Sequence, residues 1–283
     1  MQYCIWVVSP PGYIHSRAFD EIAIGLKSGM SRLGFEVPIV RNMKDITGQA
    51  IVLGCNLIPY LRLSKIPGNL ILFNLEQIQL DSPWLSPSYL NILRTYPVWD
   101  YSYQNIQELK RLGINNVAHC GIGYEPELTK IPQVEEDIDI LFYGSLNDRR
   151  IAILKELKNK GLNVAGFVGT YGEKRDKFIA RSKIILNIHY YEARVFEIVR
   201  VSYLLANRKF VISEAGLDDD LEKLFSEGVV FSNYKELVER CIDYLKEERH
   251  RKEITEKGFN LIRQHPQSVF LKQALGLDKS FRD

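Results

Sequence analysis

The stretch LNIHYYEARVFE (186–197), followed by IVRVSYLLA and then FVISE at 210–214, decides how this chain is to be read. A buried apolar strand ends in a cluster of polar and aromatic residues, a Glu stands at the start of an apolar helix, and a second short strand follows. That succession is the repeating unit of an open parallel sheet. Such sheets bind ligands where strand carboxyl ends meet helix amino ends, because free backbone N–H groups and the helix dipole attract anions there. The stretch therefore predicts a nucleotide or phosphate site.

Outward from it, the same alternation covers the second half of the chain. Strand IDILFYGS (138–145), helix RRIAILKELKNKG, strand LNVAGFVG, helix KRDKFIARS and strand KIILNIHY lead into the helix and the strand KFVISE; GVVFS (228–232) and the helices KELVERCIDYLKEE and HRKEITEKGFNLIRQH follow. Upstream, YCIWVVS (3–9) reads as a strand, PPGYIHS (10–16) as a loop and 17–34 as an amphipathic helix stopped by Gly34. FEVPIVR, AIVLGCN (50–56), NLILFNLE (69–76), VWDYS and NNVAHCGIG (115–123) are further strands, with helices on either side of VWDYS. Between the halves, 123–139 breaks the pattern with two prolines and a run of acids. The expected fold class is α/β, with two Rossmann-like domains facing each other across a cleft. The expected boundaries are a domain at 1–124, a linker at 125–137, a domain at 138–264, and a segment at 265–283 packing back on the first domain.

Composition excludes several function classes. In 283 residues, Lys+Arg 37 against Asp+Glu 35 leaves a net charge of +2, so no global basic field exists to hold a nucleic-acid backbone. Cys4, Cys55, Cys120 and Cys241 are far apart and match no zinc or redox spacing; they read as buried thiols of a reducing compartment. The start YCIWVV lacks a basic leader and runs into PPG, and no apolar run reaches the roughly 18 residues of a membrane span. A soluble cytoplasmic protein is expected. The acids DDDLEK (218–223) precede a helix, where they serve as a cap better than as a metal site, since neighbours in sequence point apart.

Over about 138–265 the order LFYGSLNDRR, LNIHYYEARVFE, FVISE and then a weakly acidic helix resembles the GT-B glycosyltransferases of the family 4 kind and their spore-maturation-type relatives. The first half resembles them in architecture alone. The resemblance implies a sugar-nucleotide domain at 138–264 and an acceptor domain at 1–124. The family carries Glu, seven residues, Glu, the first on the transferred sugar and the second on the ribose. Here Glu197 holds the second place and His189, eight residues before it, holds the first. The helix IVRVSYLLANRK is also longer than the family's by more than a turn.

On that basis Glu197 is the ribose ligand, a carboxylate able to accept two hydroxyls, with Asn187, His189 and Arg194 converging nearby. His189 is assigned to the donor sugar, and Arg194 either to the diphosphate or to an ion pair with Glu192. Arg200 reads as structural. In YGSLNDRR, Gly144 permits close backbone approach and Ser145 or Asn147 caps the next helix. Arg149 and Arg150 stand where the family places a basic residue on the diphosphate, to stabilise charge developing on the leaving group; the other reading is a capped helix with exposed arginines. Phe167 or Tyr171 could stack on the base. On the acceptor side, His15 is a candidate general base oriented by Asp20 or Glu21, and Glu76 is its competitor or an acceptor-binding carboxylate. Aromatic runs at 84–103 and at Tyr190–Tyr191 suit sugar rings but also suit packing.

The expected function is metal-independent transfer of a sugar from a nucleoside diphosphate sugar to an acceptor hydroxyl, with no cofactor, on a saccharide or glycoconjugate acceptor. A noncatalytic sugar-nucleotide or partner-binding module on the same scaffold is the alternative. A DNA-modifying glycosyltransferase is a weaker one, since the balanced charge does not promise a basic stripe.

Overall fold

A computed structural model of the chain describes residues 2–61, 66–79, 85–191 and 193–277. Glu192, weighed above as a partner of Arg194, lies outside the described residues, as do Trp84 and 278–283. The chain divides into two compact units, Met1–Glu127 with His265–Asp283, and Leu128–Gln264.

The first unit contains strand β1 (Tyr3–Val7), helix α1 (Asp20–Arg32), strands β2 (Ile39–Val40), β3 (Gln49–Leu53) and β4 (Leu70–Asn74), helix α2 (Pro87–Thr95), strand β5 (Val98–Asp100), helix α3 (Tyr103–Arg111) and strand β6 (Val117–His119). The strands are all parallel, in the order β2-β1-β3-β4-β5-β6. YCIWV and LILFN are buried along their whole length, which is what a parallel sheet covered on both faces requires. Trp6, Val52, Leu72, Tyr89 and Leu93 belong to its core. Ser86 and Ser102 cap α2 and α3, accepting from Tyr89 N and Asn105 N at 3.2 and 3.3 Å.

Several strands are shorter than their apolar runs. FEVPIVR pairs only at Ile39–Val40, because Pro38 has no N–H to give a ladder. AIVLGCN leaves the sheet at Leu53, and Cys55–Leu61 winds into a 3-10 turn. NLILFNLE stops at Asn74, whose side-chain Oδ1 takes the N–H of Glu76. His15 lies in a 3-10 turn, Ile14–Phe19, where a loop was expected.

The second unit runs β7 (Ile138–Tyr143), α4 (Asp148–Asn159), β8 (Val164–Phe167), α5 (Glu173–Ala180), β9 (Ser182–Asn187), α6 (Ile198–Ala206), β10 (Val211–Glu214), α7 (Asp219–Phe225), β11 (Val230–Ser232), α8 (Leu237–Lys246) and α9 (Glu248–Arg263). Its strands are parallel in the order β11-β10-β9-β7-β8. The chain moves from β7 outward to β8 and then crosses to β9 on the other side. The switch point, where such sheets open a crevice at their carboxyl ends, therefore lies between β7 and β9. Asn147 caps α4, accepting from Arg150 N at 3.0 Å, and Asp218 caps α7, accepting from Leu221 N at 3.4 Å.

The stretch read as a linker is packed. Glu125 is buried and paired with Arg32, while Leu128 and Ile131 are buried beside Asn207. The Asn207 side chain accepts from Lys130 N and Ile131 N at 2.8 Å and donates to Leu128 O at 2.8 Å. Helix α10 (Gln267–Ala274) belongs to the first unit: the Gln267 side chain accepts from Gly123 N at 2.8 Å and donates to Gly121 O at 3.0 Å. All four cysteines are buried and unpaired. Among the described residues, no helix is long and apolar enough to cross a membrane.

Candidate functional site

The carboxyl ends of β7, β9 and β10 carry a connected set of charged side chains, built around Arg150. Asn147 caps α4 and so starts the helix, which sets the phase that turns Arg150 inward to the β9 end. Its side chain is 2% exposed, lying between the rings of Phe142 and Tyr190 at 5.2 and 5.1 Å. Nε donates to Ile188 O at 2.9 Å, Nη1 to Ser145 O at 2.8 Å, and Nη2 to Ile188 O and to Glu197 at 3.1 Å. Burial pulls its pKa down to about 10, against the opposing pull of Glu197, and it stays charged near neutrality.

Arg150 is therefore neither an exposed arginine nor open to a diphosphate. Its three nitrogens are spent on two backbone carbonyls and a carboxylate, and the two rings cover its faces. Arg149 is different. Its side chain is 41% exposed, yet it grips Glu214 with both Nη atoms, at 2.5 and 3.2 Å, donates to His189 O at 3.0 Å and stacks on Tyr234 at 4.3 Å. Glu214 ends β10, is buried, and also accepts from His189 N at 3.0 Å.

Glu197 stands at the N-cap position of α6 with 16% of its side chain exposed, between Arg150 at 3.1 Å and Arg200 at 2.9 Å. Burial alone would raise its pKa, but Arg200 and Arg150 outweigh burial and hold the carboxyl below its usual value. A carboxylate offers about four lone-pair sites, so two arginines leave room for two hydroxyls. Arg200 also donates to Asn187 Oδ1 at 3.1 Å and lies over Tyr143 at 5.3 Å. Asn187 is fully buried and donates to Ser213 Oγ at 3.0 Å.

This arrangement has a pH signature. Because the folded pKa of Glu197 lies below its unfolded value of about 4.3, its stabilisation is complete above that pH and is lost as pH falls through the folded value. The urea midpoint of the wild-type chain is expected to fall between about pH 6 and pH 3.5, and to fall less in Glu197→Gln. Equal losses in both chains would assign the acid sensitivity elsewhere.

His189 is 0% exposed, and among the described residues neither ring nitrogen has a hydrogen-bond partner. Burial lowers its pKa, so the ring is neutral at pH 7. Its Nε2 borders the loop after β10, 3.0 Å from where a Cβ on Gly216 would stand. Arg194 is one of two non-glycine residues at positive φ among those described, at 44°. Its carbonyl accepts from Leu217 N at 3.0 Å; burial raises the pKa of the Glu222 carboxyl, and the charge of Arg194 opposes that rise. Gly144 takes φ 135°, where a Cβ would come 3.0 Å from Arg200 Nη2. Ser145 is exposed and contributes its carbonyl, and Asn147 is the cap. Phe167 stacks on Tyr143 at 5.9 Å and 15°, with Phe178 at 5.1 Å.

His15 and Glu76 belong to the first unit. His15 is half-buried with its ring 5.3 Å from that of Tyr13; Glu76 accepts from Asn56 Nδ2 at 3.1 Å. Asp20, read as a possible orienter of His15, is paired with Arg41 and with Arg17 at 3.5 Å, and these pairings fix its direction.

Two participants, Glu214 and Tyr143, escaped the sequence reading. Glu214 could have been found from its place, a carboxylate ending an apolar strand beside the turn that carries Arg149. Arg200, read as structural, holds Glu197 and donates to Asn187. Tyr143 ends β7 under Arg200 and gave no signal beyond being aromatic.

Residues 135–269 match the family model described as Glycosyl transferase-like. The uncharacterized protein L140 of Acanthamoeba polyphaga mimivirus is 26% identical over 219 residues, 72% of this chain and 68% of that protein. The L138 protein of the same virus is 31% identical over 160 residues, 53% of this chain but only 18% of its own length. Among solved structures, sucrose-phosphate synthase from Thermosynechococcus elongatus has a TM-score of 0.64 at 12% identity, over 100% of this chain and 98% of that one. HepE of Anabaena, in complex with UDP-glucose, has a TM-score of 0.63 at 10% identity, over 99% and 100% of the two chains. WaaG, a glycosyltransferase involved in lipopolysaccharide biosynthesis, has a TM-score of 0.58 at 10% identity, over 99% of each chain. At such identities the likeness is one of fold. The chain has the fold of the GT-B glycosyltransferases, and its residues 135–269 are similar to the glycosyl transferase-like family.

Proposed function

We propose that the protein transfers a sugar from a nucleoside diphosphate sugar to a hydroxyl of a saccharide or glycoconjugate, without a metal ion. The observation that carries this reading is Glu197, an ionised, partly accessible carboxylate fixed by two arginines at the start of α6, beside the sheet's switch point. Held there, it accepts the paired ribose hydroxyls. Arg194 and the exposed side of Arg149 supply positive charge to the diphosphate, so no cation is needed for that task. Phe167 offers a face to the base. HepE, a protein of the same fold, was crystallised with UDP-glucose, which supports a donor of this class.

In the reaction, the bond from the anomeric carbon to the diphosphate oxygen breaks and its electron pair leaves with the nucleoside diphosphate. The acceptor oxygen bonds to that carbon and gives up its proton, to His15 or Glu76 if the configuration inverts. His189, a neutral and fully buried ring, would back the sugar end from within the unit.

Calorimetric titration with UDP-glucose and GDP-mannose tests the assignment. Glu197→Gln is expected to weaken binding at least about tenfold, since one member of each charge-assisted hydrogen bond is lost. An unchanged affinity removes Glu197 from the ribose site. A noncatalytic binding module is the second reading, favoured by the neutral His189 at the place of the family's first Glu. Binding without release of nucleoside diphosphate across a range of acceptors would select it.

A further inference from the structure

We infer that Gly216 and Leu217, in the loop after β10, form a lid that Glu222 latches shut over the ring of His189, and that a donor sugar nucleotide must lift this lid to engage the ring. The second half of the inference rests on the glycosyl-transfer reading above.

Three groups crowd Gly216. The side chain of Glu222, within α7, accepts its N–H. A Cβ at Gly216 would stand 2.0 Å from Arg194 O, 2.8 Å from Glu222 Oε1 and 3.0 Å from His189 Nε2, so only a bare backbone fits there. The next N–H, that of Leu217, donates to Arg194 O at 3.0 Å. The two lid residues are thus pinned to α7 on one side and to the turn before α6 on the other. Leu217 itself is 52% exposed, so its side chain adds little to the hold.

Beneath the lid the ring of His189 is badly served. A neutral imidazole carries one N–H donor and one acceptor nitrogen, yet the residue is fully buried and neither nitrogen has a hydrogen-bond partner among the described residues. Burial of polar atoms without partners is costly, and opening the lid would return both nitrogens to water or to a ligand. The bond from Gly216 N–H to the Glu222 carboxylate opposes that opening. Burial raises the pKa of Glu222, Asp218 and Asp219 add to the rise, and the Gly216 N–H and Arg194 work against it. An unpaired ring and a desolvated carboxylate therefore both weigh against the shut state. Such costs bring shut and open states close in free energy, which is the condition for a lid that a ligand can lift. While it is shut, no sugar or phosphate oxygen reaches His189, and apparent affinity falls with the shut fraction.

Labelling of the full chain with diethyl pyrocarbonate, read by peptide mass spectrometry, tests the latch, because the reagent modifies neutral imidazoles that solvent reaches. His15, His119, His250 and His265 serve as the internal reference. Glu222→Ala is expected to speed labelling of His189 about tenfold and to leave the other four as they are. Unchanged labelling of His189, or an acceleration shared by all five histidines, overturns the latch. The same variant is expected to bind UDP-glucose about tenfold more tightly, since the ligand no longer has to break the Glu222 bond. The substitution adds no atoms, so unlike a side chain at Gly216 it does not push on the turn that carries Arg194. Selective labelling with unchanged or weaker UDP-glucose affinity overturns the lid's part in donor entry. Selective labelling with no UDP-glucose binding by either chain leaves the latch standing and removes the glycosyl-transfer reading instead.

Discussion

Arg150→Ala is expected to destabilise the second unit by about 3–5 kcal/mol, the usual loss when one member of a buried ion pair is removed. The Ile188 and Ser145 carbonyls would lose their donors, Glu197 would keep only Arg200, and the space between Phe142 and Tyr190 would empty. The measurement can resolve the unit. Trp6, Trp84 and Trp99 all fall within Met1–Glu127, so tryptophan fluorescence follows the first unit while far-UV circular dichroism follows both. In urea, Arg150→Ala should show an early dichroism transition that fluorescence does not share. Arg150→Lys should recover only part of the loss, because a single ammonium cannot reach two carbonyls and a carboxylate in the geometry of a planar guanidinium. A shift below about 1 kcal/mol would mean that the guanidinium does not hold this end of the sheet together.

Gly216→Ala is expected to damage the proposed donor site although Gly216 is not itself assigned to it. A Cβ there would lie 2.0 Å from Arg194 O, 2.8 Å from Glu222 Oε1 and 3.0 Å from His189 Nε2. The carboxylate end can swing away, but Arg194 O is backbone and is tied to Leu217 N at 3.0 Å. Relief therefore requires the loop after β10 and the turn before α6 to separate, at a cost of about 1–3 kcal/mol for forced overpacking. Arg194 moves with its turn, so nucleotide-sugar affinity should fall at least about tenfold while the first unit unfolds as before. Calorimetric titration and the two optical probes read these effects apart. Unaltered affinity would show that the position of Arg194 does not govern donor binding.

Much of the fold is legible along the chain because parallel strands covered on both faces must be continuous apolar runs. YCIWV, AIVL, LILF and KIILN announce themselves for that reason. Their ends are less legible, since side chains or a proline decide where a ladder stops: Asn74 captures Glu76 N, and Pro38 delays β2. The cluster proposed as the donor side was half legible. Glu197, Asn187 and His189 lie within a single strand–turn–helix segment, so their convergence follows from local geometry. Which of Arg149 and Arg150 turns inward does not, because it depends on where the Ile188 carbonyl falls after a crossover of nearly forty residues. Glu214 goes unread, and the partners of Arg200 unforeseen, for the same reason. Their roles are defined by partners, His189 and Arg149 in one case, Glu197 and Asn187 in the other.

The sequence by itself determined two runs of alternating strands and helices, the acidic cap at 218, and the carboxylate and histidine spaced like a sugar-nucleotide motif. These are local properties, set by hydrophobic period, helix capping and spacing within one segment. Only the tertiary structure decided that Arg150 is a buried clamp, that Arg149 is committed to Glu214, and that Asn74, Asp100 and Asn105 lock the turn at Glu76. A charge or an amide acquires its role from the groups it meets at 3 Å, and in a parallel sheet those groups arrive from strands far apart in the chain.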